Sequence, residues 1–414
     1  MYQRLPDRTG DQALVREINL SLIMNRLWEH SPISRAALAE MTGLNKSTVS
    51  SLINELIEHG FVREVGLLSN GIGRPSRQLE LNPEAGFIVS AEVSVDSIAV
   101  LCANFAADVI WQHRESTYGE TDRRVILGRV VDLMQDAAAR GRDPAVGRTA
   151  MLGLALGLPG MVEQTTGTLL FAPNLGWEDV PVCDLLTPDF PDVPVFVDNE
   201  ANLAALGESF FGAAQGYHEI LYVSAGVGVG GAMVSGGQIF RGTTGFAGEF
   251  GHMTIDPNGP VCGCGNRGCW ETLVSPAALF RHIRDAAAQQ STRLEQMTGG
   301  DWDALTVPLV VEAADAGDPV ALDALAQVGR DLGIGIASLL NALNPDLVLL
   351  GGTLSQAHAH LLPVIRAEVE RRALRWAAHA AAIERGQYGR NACLMGGVAR
   401  VYQTILAQPG TVSR

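Results

Sequence analysis

The segment GEFGHMTIDPNGPVCGCGNRGCWE (248–271) holds one imidazole, His252, and three thiols, Cys262, Cys264 and Cys269. Three thiolates and one imidazole fill the tetrahedron around a zinc ion and leave no position open, so the predicted site is structural and not catalytic. The spacing C-x-C-x4-C is uncommon by chance, and the glycines between the cysteines let a short loop fold tightly around an ion. The remaining cysteines, Cys102, Cys183 and Cys393, stand in apolar contexts and read as small buried hydrophobes. Six cysteines in 414 residues do not make a disulfide scaffold, which points to a reducing compartment and a cytoplasmic protein.

Such a chain is long enough for two or three domains, and 47% apolar residues can fill sizeable cores. The N-terminus MYQRLPDRTGDQ has no apolar leader, and no run of 18 apolar residues predicts a membrane span. The net charge of −15 argues against a global attraction to nucleic acid, but it is unevenly placed. Residues 1–82 carry nine Lys/Arg and nine Asp/Glu, so the remainder accounts for all of it. Any affinity for DNA must come from local basic side chains in the first segment.

That segment has the pattern to supply it. Apolar residues recur at helical spacing at Leu14, Ile18, Leu22, Met24, Leu27 and Trp28. Ser34 N-caps a short helix ending at Gly43, and Asn45 caps a second ending at Gly60, which is a helix-turn-helix. On the second helix Val49, Leu52, Ile53 and Leu56 share a core face. The opposite face offers Lys46, Ser47, Thr48, Ser50, Ser51 and Asn54, which suits entry into a major groove. The strands FVREV (61–65) and RQLEL (77–81) predict a hairpin wing with Arg74 at its tip, placed for a minor groove or a phosphate. The candidate DNA-binding residues are Arg35, Asn45, Lys46, Ser47, Thr48, Ser50, Ser51 and Arg74.

Beyond the linker NPEAG (82–86) the pattern is α/β. An antiparallel meander is predicted over FIVSAEVSVDSIAVLCANFAADVIWQHRES, then buried strands at 151–157 and 194–198, a second meander from Glu219 and a late strand at 346–352. IVSAEVS and YVSAGVG open what read as two related halves, and 283–318 reads as helical. The order, the thiol cluster and the motif VDNEANLAALGE resemble the ROK family (repressors, open reading frames and kinases), and the first segment resembles the winged helices of bacterial repressors. The resemblance covers nearly the whole chain. It implies an N-terminal winged helix-turn-helix followed by an α/β, two-lobed, actin-like ATPase domain of the sugar-kinase kind. The expected boundaries are 1–82 for the winged helix, 83–198 for a small lobe to which 391–414 return, and 199–390 for a large lobe with the zinc loop.

The resemblance also implies that His252, Cys262, Cys264 and Cys269 bind zinc and that Asn199, Glu200, Glu249, His252 and Glu271 hold a sugar, with Asn174 a weaker candidate. It further implies that phosphoryl transfer has been lost. Kinases of the family place Asp where this chain has Glu200, and a shift of about 1 Å in a general base can cost on the order of a hundredfold. Their first phosphate loop is glycine-rich, whereas AEVSVDS (91–97) has no glycine and presents Glu92, which is expected to repel phosphate. In SAGVGVGG (224–231) Ala225 replaces a common Thr. The reading is a non-enzymatic, sugar-responsive repressor, a homodimer or higher homo-oligomer on an operator. Asn-Glu-Ala-Asn looks most like the repressors of xylose operons. The rivals are an ATP-dependent sugar kinase that binds DNA and a repressor controlled by a protein partner.

Overall fold

The computed structural model describes residues 12–68 and 76–409. At the N-terminal end α1 (Gln12–His30), α2 (Arg35–Thr42) and α3 (Lys46–Glu58) precede a three-stranded sheet of β1 (Ile33–Ser34), β2 (Val62–Leu68) and β3 (Ser76–Leu81), in the order β1-β3-β2. The caps form as their residue types dictate. Ser34 accepts from the Ala37 N–H, Gly43 closes α2 at φ 72°, and Asn45 accepts from the Thr48 N–H. Strand β1 was not expected; two residues of the interhelical connection suffice to complete the sheet. The buried face of α1 also differs from the predicted one. Leu20, Ile23, Met24 and Leu27 are buried, while Ile18 is 56% exposed.

The rest of the chain is built on two five-stranded sheets. The first comprises β4 (Phe87–Val93), β5 (Ser97–Asn104), β6 (Val109–Ser116), β7 (Met151–Leu158) and β11 (Val195–Asn199), in the order β6-β5-β4-β7-β11. The second comprises β12 (Glu219–Ala225), β13 (Val229–Ser235), β14 (Gln238–Ile239), β15 (Leu347–Gly351) and β16 (Ala382–Arg385), in the order β14-β13-β12-β15-β16. In each, three antiparallel strands precede two parallel ones, with β4 and β12 at the centre. The likeness of IVSAEVS and YVSAGVG therefore marks equivalent central strands. A small antiparallel sheet of β8 (Met161–Glu163), β9 (Thr168–Ala172) and β10 (Trp177–Pro181) joins the first half.

Helices pack on both sheets, and strands β5, β7 and β15 are buried along almost their whole length. On one face of the first sheet lies α4 (Arg123–Gly141), with Ile126, Val130, Leu133 and Met134 buried. Against the second sheet lies Pro319–Leu343, capped by Asp318, which accepts from the Ala321 N–H, and closed by Asn344 at φ 49°. Residues 283–318 are largely helical, with helices at Arg293–Met297 and Val307–Asp315. After α5 (Val182–Leu186) comes α6 (Glu200–Phe211), which starts where β11 ends. The C-terminal helix Ala392–Ala407 packs on α6, β4 and β7. One core unites the winged helix with this region: Leu20, Ile23, Met24, Leu27, Ile53 and Phe61 pack together with Phe105, Phe210, Tyr402 and Ile405.

Candidate functional site

Two loops of the second half are pressed together by glycine. A Cβ on Gly251 would lie 2.1 Å from the Val229 carbonyl oxygen, and one on Gly248, at φ 114°, 2.3 Å from that of Gly231. Only bare backbone lets the segment carrying Glu249 and His252 lie directly on β13. Of the glycines in SAGVGVGG, Gly231 has a packing role here, since a Cβ on it would lie 2.3 Å from the Phe250 ring.

His252, Cys262, Cys264 and Cys269 converge, with their donor atoms all within 4.8 Å of one another. His252 Nδ1 is 3.7 Å from Cys262 Sγ, and Cys264 Sγ is 3.7 Å from Cys269 Sγ. Zn–S bonds of about 2.3 Å in a tetrahedron require S···S edges of about 3.8 Å, so the residues present fit zinc. These four would hold it and leave no open position. Glu271 stands against the cluster, accepting from the Cys262 thiol at 2.8 Å and lying 3.6 Å from His252 Nδ1. On the other side of the imidazole Glu249 lies 3.9 Å from His252 Nε2. The ring therefore turns Nδ1 to the metal side and Nε2 toward Glu249.

The carboxyl end of β11 and the start of α6 reach the same place. Asn199 is the N-cap of α6: its Oδ1 accepts from the Ala201 N–H at 2.8 Å, and its Nδ2 donates to the Gly160 carbonyl at 2.9 Å. Much of this amide's hydrogen-bonding capacity is thus used in holding the helix. Glu200 is different. Its Oε2 is buried with no hydrogen-bond partner. Burial first, and then the charges of Glu92 and Glu249, push its carboxyl up to about 8. Burial also raises Glu249, with His252 opposing it. Glu92, Glu200 and Glu249 thus share one electrostatic neighbourhood, whereas Asn174 is exposed in the turn between β9 and β10.

Two features escaped the sequence reading. Asp198, almost wholly buried, accepts from Arg241 Nη1 at 3.0 Å and Nη2 at 2.5 Å, and from the Asn202 amide at 3.1 Å. This pair ties β11 of the first sheet to the loop that carries Glu249. The second corrects the expectation for Glu92. It is paired with Arg114 at 3.2 Å, and burial raises its proton affinity, so it is not a bare repulsive charge. What the β4–β5 turn lacks is the backbone form of a phosphate cradle: no residue from 91 to 97 has positive φ.

In the winged helix, Lys46, Ser47 and Ser51 are exposed and Thr48 and Ser50 half-buried along α3. Asn45 uses its side chain as a cap, accepting from the Thr48 N–H at 2.8 Å and the Ser47 hydroxyl at 2.6 Å. Arg35 is held by Glu64 at 2.6 Å and by Asn54 at 3.0 Å, bracing α3 against the wing strand. Arg16, Arg26, Arg63 and Arg77 are also ion-paired. Lys46 forms no ion pair among the described residues, and Arg74 lies outside them.

Two sheets of one strand order, preceded by a helix-turn-helix, define a regulator-type chain on the actin-like ATPase fold. The chain belongs to the ROK family, whose profile matches residues 95–404, and the IclR helix-turn-helix domain profile matches residues 23–66. It is 37% identical to a putative xylose repressor of Caldicellulosiruptor sp. (strain Rt8B.4), over 97% of this chain and 100% of that one. It is 39% identical to a glucokinase of Halalkalibacterium halodurans, over 75% of this chain and 93% of the other. Among solved structures it resembles a ROK family transcriptional regulator, a homologue of the Escherichia coli MLC protein. That match has a TM-score of 0.81 and 26% identity, over 95% of this chain and 97% of that one. No helix among the described residues is long and apolar enough to cross a membrane.

Proposed function

We propose that this chain is a sugar-responsive DNA-binding repressor of a carbohydrate-utilisation operon, with D-xylose as its ligand. The observation that carries this reading is the joining of an exposed, cation-tipped recognition helix to a sugar-kinase fold through one continuous core. Relatives named as xylose repressors, matching over nearly their full length, support the ligand. The sugar sits among Glu200, Glu249, His252 and Glu271, with Asn199 holding the helix beneath it. A zinc ion on His252, Cys262, Cys264 and Cys269 fixes the loop that carries three of these groups. The protein is a cytoplasmic homodimer that reads a palindromic operator with Lys46, Ser47, Thr48, Ser50, Ser51 and the wing residue Arg74. Its units are 1–82, 83–198 with 391–414, and 199–390.

Phosphoryl transfer is absent on this reading. The β4–β5 turn lacks both glycine and left-handed backbone, and Glu200 replaces the Asp of the family kinases. The glucokinase relative makes the alternative concrete: release of ADP from ATP in the presence of xylose or glucose would return the chain to the enzymes. DNA recognition is tested by salt titration on a duplex from the chain's own upstream region. Lys46→Ala and Arg74→Ala should each weaken binding and lower the slope of log K against log salt by about one. Unchanged slopes would remove α3 and the wing from the interface.

A further inference from the structure

Helix α6 joins the candidate sugar site to the winged helix. Its first residue is Glu200; its last two, Phe210 and Phe211, lie about 15–16 Å away at 1.5 Å per residue. Phe210 packs on Trp28 of α1 with ring centroids 4.9 Å apart. From Phe211 a line of rings continues to Tyr402 at 5.6 Å, to Phe105 at 4.7 Å and to Phe61 at 5.4 Å. Phe61 lies two residues beyond His59, the C-cap of the recognition helix α3, and its carbonyl accepts from the Asn82 N–H. The same six rings thus touch both α1 and the end of α3.

Little in this path can absorb a movement. A Cβ on Gly396 would lie 1.7 Å from the Leu203 carbonyl oxygen, so α6 and the C-terminal helix meet backbone to backbone. Near the far end of α6, Glu208 is fully buried. It accepts from the N–H groups of Ala213 at 3.0 Å, Gln387 at 3.0 Å and Tyr388 at 2.8 Å. Close-packed elements of this kind move as units and do not deform continuously.

We propose that α6 is the transmitting element of the sensor: a sugar seated at Glu200 displaces the helix, and Phe210 and Phe211 hand that displacement to Trp28 and, through Tyr402 and Phe105, to Phe61 behind the recognition helix. This rests on the sugar-sensing reading above. It requires reciprocity, so DNA changes the affinity for the sugar by the same factor by which the sugar changes the affinity for DNA.

The test measures that coupling factor for the full-length chain and for Phe210→Leu, by titrating upstream DNA with and without D-xylose. Phe210→Leu keeps an apolar side chain against Trp28 and removes the ring. The coupling factor should fall from tenfold or more to less than threefold, while DNA affinity without xylose and xylose affinity without DNA each stay within threefold. A merely structural role would lower stability and leave the factor unchanged, which overturns the proposal. Hydrogen exchange on the unaltered chain decides the matter should Phe210→Leu fail to fold. Xylose should alter amide protection in 203–212 and in 24–30 together, and a change confined to the cleft loops overturns the proposal. An unaltered chain that ignores every sugar on its DNA defeats the sensing reading itself, and the proposal with it.

Discussion

Cys264→Ser is expected to strip the chain of its metal and to unfold the loop around it. The segment 253–269 contains no helix or regular strand, only the isolated bridges Thr254↔Cys269 and Val261↔Arg267. Few of its side chains are buried, so apolar packing contributes little; the loop is held by backbone hydrogen bonds, such as the Ile255 N–H to the Gly268 carbonyl and the Gly268 N–H to the Pro260 carbonyl, and by whatever joins the four donor groups. A serine hydroxyl does not replace a thiolate on zinc, and three donors leave the tetrahedron open. Loss of a structural metal is among the few single changes that cost on the order of 3 kcal/mol or more. Bound zinc should drop from one per chain to under about a tenth, and calorimetry should show a lowered transition for the second half. Because Glu249 and His252 flank this loop and Glu271 touches it, the sugar response should vanish with it. DNA binding without sugar should survive, since the core that α1–α3 share with Phe105 and Tyr402 includes no residue of 253–269. Full zinc content with an unchanged transition would show that the cluster is not a metal site.

Glu200→Gln is expected to make the protein more stable at alkaline pH and to change little at acid pH. The buried Oε2 has no donor, and Glu92 and Glu249 lie in the same neighbourhood, so the ionised form is disfavoured. With the folded-state value raised from 4.5 to about 8, the folded chain holds this proton more tightly than the unfolded one. The resulting stability is present below pH 4.5 and is lost as pH rises through about 8. The amide cannot ionise, and its N–H groups can donate to the neighbouring carboxylates. Urea unfolding at pH 8.5 should favour the variant by on the order of 3 kcal/mol, and at pH 4.5 the difference should be small. Equal stability of the two proteins at pH 8.5 would mean that Glu200 already has a partner.

The thiol cluster was legible because its four donor residues lie within eighteen residues and their types and spacing suit one tetrahedral metal ion. The recognition helix was legible because its core and solvent faces differ in kind, and the paired halves because their central strands share a pattern. What stayed hidden depends on tertiary contact. Asp198 and Arg241 are 43 residues apart, and neither carries a local sign of the other. Asn199 reads as a ligand residue, and that it also caps α6 and donates to the Gly160 carbonyl shows only in the folded chain. Arg35 looked like a DNA contact and is held by Glu64, a wing residue whose proximity only the folded hairpin creates. Trp28 reads only as one apolar position of the first helix, and its contact with Phe210 emerges only when α1 packs against α6.

On the proposed function, a sugar held among Glu200, Glu249, His252 and Glu271 alters the grip on DNA. Fluorescence anisotropy of the chain on its own upstream DNA, titrated with D-xylose, D-glucose and other common sugars, tests it most directly. D-xylose should shift the DNA affinity tenfold or more, a coupling of about 1.4 kcal/mol or greater. Tight DNA binding that no sugar alters would contradict it and point to a protein partner as the controlling signal.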